Sequence, residues 1–219
     1  MHLWEVWGMT TSVHKRNILS LVQFSVLVAI EAIVAFTPLG SLPIGPLVAT
    51  LAHVPVIIAA ISLGTGFGSA LGFVAGLFSF LVWTFMPPSP VLAFVFTPFY
   101  SFGEFQGNFW SLVICFVPRV LIGTFAGLVY RGMSRICKAD AVNMGLAAVA
   151  GTLANTLLVL GGIYVVFGVD YAAANGIAYP LLLGAIGTVI ATNGVLEIVV
   201  AVVAAIAVCT ALKKVIKHG

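Results

Sequence analysis

The sequence predicts an all-α polytopic membrane protein, a bundle of six transmembrane helices with both termini cytoplasmic, and three observations predict it. Hydrophobic residues make up 62% of the 219, charged residues only 7%, and mean hydropathy is +1.21, whereas a soluble domain is about one quarter charged. The apolar residues fall into long runs with no period-two alternation, which suits helices and not barrel strands. At roughly 20 residues per span, the length leaves room for about six helices and for little else. The basic residues then cluster at the ends of those runs.

Residues 1–17 read as a cytoplasmic N-terminal segment. His14, Lys15 and Arg16 precede an apolar run, but that run is too long for a secretory h-region and lacks a small-residue cleavage site. It therefore reads as a retained first span, 18–36. Gly, Pro and charge punctuate the remainder into spans at 47–63, 66–86, 110–130, 144–167 and 182–212. Residues 18–212 thus form one membrane domain, and 213–219 a basic cytoplasmic tail.

Charge placement tests the count. Lys15 and Arg16 precede span one, Arg131, Arg135 and Lys138 follow span four, and Lys213, Lys214 and Lys217 follow span six. Six spans put all three clusters on one side, which the positive-inside rule makes cytoplasmic. Five or seven would split them. The outer loops hold only Glu104 and Asp170. The net charge of +3 reports topology and gives no reason to invoke nucleic acid.

Two outer connections are unusually apolar. The first, 37–46, reads TPLGSLPIGP, and the second, 87–109, is rich in Pro, Phe and Gly. The second is long enough to act as a lid over the bundle mouth. Within span three, Gly64, Gly68, Gly72 and Gly76 recur every four residues, a stripe along which another helix backbone can approach closely. Ser25 and Ala29 make a further small-xxx-small pair on span one, able to face either the bundle or a partner.

Arg119 is the only Lys or Arg inside a long apolar run. A cation near the bilayer centre costs about 2.5–3.5 kcal/mol on insertion scales, so it calls for a partner or a ligand. Counted from the outer ends of their spans, Arg119 lies about nine residues deep, or roughly 13 Å at 1.5 Å per residue. Asn193 lies about eleven deep and Asn155 about twelve. Glu197 follows Asn193 by one turn on the same face. These four read as one polar site.

A guanidinium offers a planar fork suited to a carboxylate, and Asn amides suit hydroxyl or amide groups. Pro118 removes a hydrogen bond from the helix and frees a carbonyl to line the cavity. The competing reading pairs Arg119 with Glu197 to lock two helices. Glu31 and His53 are additional candidates, Glu31 close enough to the outer end to reach a loop, His53 more in keeping with a packed neutral histidine. Cys115, Cys137 and Cys209 are scattered, with no metal or disulfide spacing. Walker, H-E-x-x-H and G-x-S-x-G sequences are lacking, so no catalytic residues are expected and any energy source lies in another subunit.

The same residues carry a family resemblance. The strings TPLGSLPIGPLVATLAHVPVII (37–58), PRVLIG (118–123), GTLANTLLVLGGIY (151–164) and TNGVLEIVVA (192–201) resemble the substrate-binding S subunits of energy-coupling factor (ECF) vitamin transporters, over about residues 18–212. The pattern is most similar to the pantothenate type. The resemblance implies a multi-pass protein of a prokaryotic plasma membrane that captures a vitamin at its outer side. It would deliver the vitamin through a membrane scaffold subunit and two cytoplasmic ATPase subunits, with ATP used by those partners and no cofactor bound by this chain. Arg119 would take the carboxylate and Asn155 and Asn193 the hydroxyl and amide groups. The family's scaffold contact, often Ala-x-x-x-Ala on the first helix, has its nearest match here in Ser25 and Ala29. Two other functions fit the residues alone: a proton-coupled secondary transporter of a small organic anion, using Glu31 or Glu197, and a membrane scaffold whose Arg119 and Glu197 pair is structural.

Overall fold

The computed structural model describes residues 3–40, 42–44 and 47–218, with side chains described for 18–38, 40 and 50–215. Eight α-helices carry the fold among these residues: α1 Leu3–Ala35, α2 His53–Ser62, α3 Thr65–Phe85, α4 Pro90–Phe96, α5 Phe109–Ile136, α6 Asp140–Ala174, α7 Tyr179–Val189 and α8 Val195–His218. A π-helical stretch, Ile190–Gly194, joins α7 to α8 without a break. Five helical stretches, α1, α3, α5, α6 and α7 through α8, are long and apolar enough to cross a membrane. Their outward faces are apolar too, as Ile33, Val165 and Val203 show. A helix that is hydrophobic on every side belongs in lipid or in a core.

Span two is where the structure departs from the expected helix over 47–63. Leu47–Ala49 is a strand (β2) paired antiparallel with Leu42–Ile44 (β1), and helix begins only at His53. At 1.5 Å per residue the ten-residue α2 is about 15 Å long, half of what a crossing needs. Apolar runs of this length fit strand or helix equally. Helix α1 passes through residue 17 without interruption. The side chains of Lys15, Arg16 and Lys217 lie outside the described set.

The glycine stripe makes the central seam. A Cβ at Gly68 would run into Ala60 on α2, one at Gly72 into the Arg119 carbonyl and one at Gly76 into Phe116 on α5; Gly123 and Gly127 reciprocate against Gly68 and Thr65. The helices α3 and α5 therefore lie antiparallel in backbone contact, as small residues permit in membranes. Gly64 differs from the other three, since it caps α3 at φ 104° with open space where a side chain would be. Helix α1 runs parallel to α3, with Phe24 beside Phe67 and Phe36 beside Phe78.

The long 87–109 connection folds into the bundle. Pro90 opens α4, where the missing N–H costs nothing, and Leu92 to Phe96 are all buried. Its end is tied down by the Thr84 hydroxyl donating to that of Thr97, at 2.8 Å. A two-residue ribbon, Ser101–Phe102 (β3) against Phe105–Gln106 (β4), completes the loop. Asn108 then caps α5: its side chain accepts from the Trp110 N–H at 2.9 Å, and the Ser111 hydroxyl accepts from the Asn108 N–H at 3.1 Å. That reciprocal box satisfies two of the helix's free donors. Ser111 also donates to the Phe94 carbonyl at 2.7 Å, locking α4 to α5.

Candidate functional site

A cavity of about 110 Å³ opens where α3, α4, α5, α6 and the π-helical stretch converge. Arg119, Asn155, Asn193 and Glu197, the four residues expected to form one site, all line it, and so does His53. Glu31 is not among the lining residues.

Arg119 owes its pose to its neighbour. Pro118 has no N–H, so the carbonyl four residues back, Ile114, loses its helical donor. The Arg119 Nη1 donates to that same carbonyl at 3.0 Å. The guanidinium also lies over the Phe96 ring, 5.3 Å from its centroid, and Phe96 in turn stacks on Trp83 at 4.6 Å and 25°. Trp83 and Phe96 both line the cavity. Among the described residues no carboxylate oxygen lies within 4 Å of the Arg119 guanidinium, whereas Lys213 pairs with Asp140 at 2.6 Å. Arg119 and Glu197 therefore do not form the direct structural pair that the scaffold reading required.

Glu197 is spoken for in another way. Its Oε1 accepts the Thr50 backbone N–H at 2.8 Å, and its Oε2 lies 3.4 Å from the Thr156 hydroxyl. The carboxylate thus fastens the segment after β2 to α8 and α6. Non-helical backbone at membrane depth is tolerated when it is buried in protein or lines a cavity, and Thr50 does the latter. Asn193 sits in the π-helical stretch, a distortion frequent at functional sites. Thr188 and Thr192 hydroxyls donate back to the carbonyls of Gly184 and Thr188 on its approach, a pattern that bends helices.

The unsatisfied groups are informative. His53 is 2% exposed and Asn155 8%; the Asn155 Oδ1 has no hydrogen-bond partner, and the His53 ring approaches the backbone of Thr50 and Glu197 without a hydrogen bond of full geometry. Buried polar atoms are nearly always paired, so atoms left free on a cavity wall are suited to a ligand's own polar groups. Glu31 is wholly buried with both oxygens unpartnered, close enough to Arg119 to feel its charge. Ser25 and Ala29 are on the opposite, outer side of α1. Both are exposed and line a shallow groove with Ile18, Leu21, Val22 and Val26.

Residue reading missed three contributors: the Thr50 N–H, Trp83 and Phe96. The two aromatics sit in runs already full of Phe and Leu, where nothing marks them, although Pro90 and the Thr97-Pro98 pair do announce a short helix between them.

A multi-helix membrane protein whose interior holds a small, largely apolar cavity, with a cation and several polar side chains on its wall, has the architecture of a protein that carries or captures solutes. Residues 19–209 match the family described as ECF transporter, substrate-specific component, and the chain belongs to that family. It is 39% identical over 170 residues to the pantothenic acid transporter PanT of Lactococcus lactis subsp. cremoris (strain MG1363), an alignment spanning 77% of this chain and 80% of that protein.

Proposed function

We propose that this chain captures pantothenate in the Arg119 cavity from the outer side of the membrane. The carboxylate is held by the Arg119 fork, the hydroxyl and amide groups by Asn155 and Asn193, and His53 supplies a further polar contact. Glu197 acts mainly through Thr50, holding the β1–β2 segment against the site, and Glu31, off the cavity wall, backs the site from α1. One observation carries the reading: a guanidinium inside the bundle with no carboxylate among the described residues within 4 Å, on a wall that also presents the unpartnered Asn155 Oδ1 and the His53 ring. The name of the lactococcal relative supports the choice of pantothenate.

The chain makes six crossings, α2 together with the β-ribbon making the second, with both termini cytoplasmic in the plasma membrane of a prokaryote. The geometry supports this orientation, since Lys213 of α8 meets Tyr130 of α5 and Asp140 of α6, so the basic ends of α5 and α8 share one end of the bundle. A membrane scaffold subunit docks on the Ser25 and Ala29 groove, and two cytoplasmic ATPases provide ATP hydrolysis. Glu31, buried and unpartnered, is the observation that favours the alternative of proton-coupled secondary transport. Uptake by vesicles holding this chain alone would establish that alternative.

Calorimetric titration of the purified protein with pantothenate, with folate, biotin and riboflavin as comparators, tests the substrate. Submicromolar binding of pantothenate alone is expected. Binding of another vitamin in its place overturns the assignment.

A further inference from the structure

We infer that Pro118 is a positioning residue for ligand selectivity: by withholding a backbone N–H it lends the Ile114 carbonyl to Arg119, which fixes the guanidinium for a carboxylate ligand. The inference rests on the proposed binding of pantothenate at Arg119. An arginine on a helix facing a cavity has four rotatable side-chain bonds and, left free, loses considerable entropy on binding. Here one nitrogen is held by the Ile114 carbonyl at 3.0 Å and the plane is flanked by Phe96 at 5.3 Å. Phe96 cannot drift, because it is stacked on Trp83 and the next residue, Thr97, is bonded to Thr84. Of the five guanidinium donors, one is spent on the anchor. The remainder stay available for a planar acceptor.

Proline at 118 leaves the Ile114 carbonyl wholly to Arg119. Any other residue would donate its N–H to the Ile114 carbonyl as the fifth helix's regular ladder requires, and that oxygen would then be shared or lost to Arg119. Pro118 is buried within α5, and alanine at 118 fits its space while restoring the N–H.

The experiment compares two ligands on the wild type, P118A and F96L: pantothenate, and pantothenol, in which a primary alcohol replaces the carboxylate. The wild type should prefer pantothenate. P118A should lose about tenfold in pantothenate affinity and less than about twofold for pantothenol, since only the charge-assisted contact depends on the guanidinium's aim. F96L, which keeps an apolar side chain but removes the ring face, should show the same selective loss at about threefold. Equal losses for both ligands in these variants, or none, would overturn the positioning role, and F96L decides the matter should P118A not fold. A wild type indifferent to the carboxylate defeats the substrate reading itself, and this inference with it.

Discussion

Two polar clusters in this molecule meet opposite fates. At the basic end of the bundle, Tyr130 donates to Asp140 at 2.8 Å and Lys213 reaches both, at 2.5 and 2.6 Å, so each charged group there is answered by another. In the apolar interior, Arg119 has one backbone carbonyl and an aromatic face, while the Asn155 Oδ1 has no partner and the His53 ring makes no hydrogen bond of full geometry. The economical arrangement occurs where water could have satisfied the groups anyway, and the unsatisfied one where desolvation is most costly. Polar groups that close on each other hold helices together; those left open on the cavity wall are the ones the proposed ligand would complete.

Replacing Arg119 by alanine tests that distinction most strongly. Removing one partner of a buried charge pair costs roughly 2–5 kcal/mol, so pantothenate affinity should fall by at least about thirtyfold while the melting temperature in detergent changes little. An equally large drop in stability would make Arg119 a structural residue. Gly72→Ala sharpens the comparison from the other side, because the new Cβ collides with the Arg119 carbonyl. Overpacking of this kind costs about 1–3 kcal/mol, and the shift of α5 should impair binding and thermal stability together. Were Gly72→Ala to melt like the wild type, the seam between α3 and α5 would not be the close contact described.

Asn155→Ala comes next. It removes an amide that has no protein partner for its oxygen, so stability should be unchanged or slightly improved while affinity falls by about tenfold. Unaltered affinity would mean that the ligand leaves this wall untouched.

How much of this was written in the residues follows from contrast. Arg119, Asn155, Asn193 and Glu197 stand out because each is polar in an apolar run, and counting from span ends sufficed to put the first three near one depth with Glu197 a turn deeper; the glycine stripe was equally visible. What Glu197 does was hidden, because its partner is a backbone N–H at Thr50 brought near by a strand pair, and Leu47-Val48-Ala49 reads as helix as easily as strand. Trp83 and Phe96 were hidden for the opposite reason, since an aromatic among aromatics offers no contrast. The π-helical stretch at Asn193 leaves only a faint trace, Thr192 and Gly194 on either side. Periodicity records which residues are apolar, and the backbone's departures from a regular helix, which build half of this site, leave that record unchanged.

The smallest effect belongs to the closed cluster. Lys213 and Asp140 are 45% and 46% exposed, and exposed pairs contribute about 0.2–1 kcal/mol. Lys213→Ala should therefore lower the melting temperature by a degree or two and leave pantothenate affinity unchanged, even though it deletes the shortest ion pair among the described residues. Its near silence, set against Arg119→Ala, would separate interaction strength from functional weight: the better-satisfied charge matters less, because water outside the bilayer can replace its partners, while the proposed ligand completes those of Arg119. A loss of affinity in Lys213→Ala would instead couple the basic end to the cavity through α8, whose first turn carries Glu197, and the two clusters would then be one device and not two.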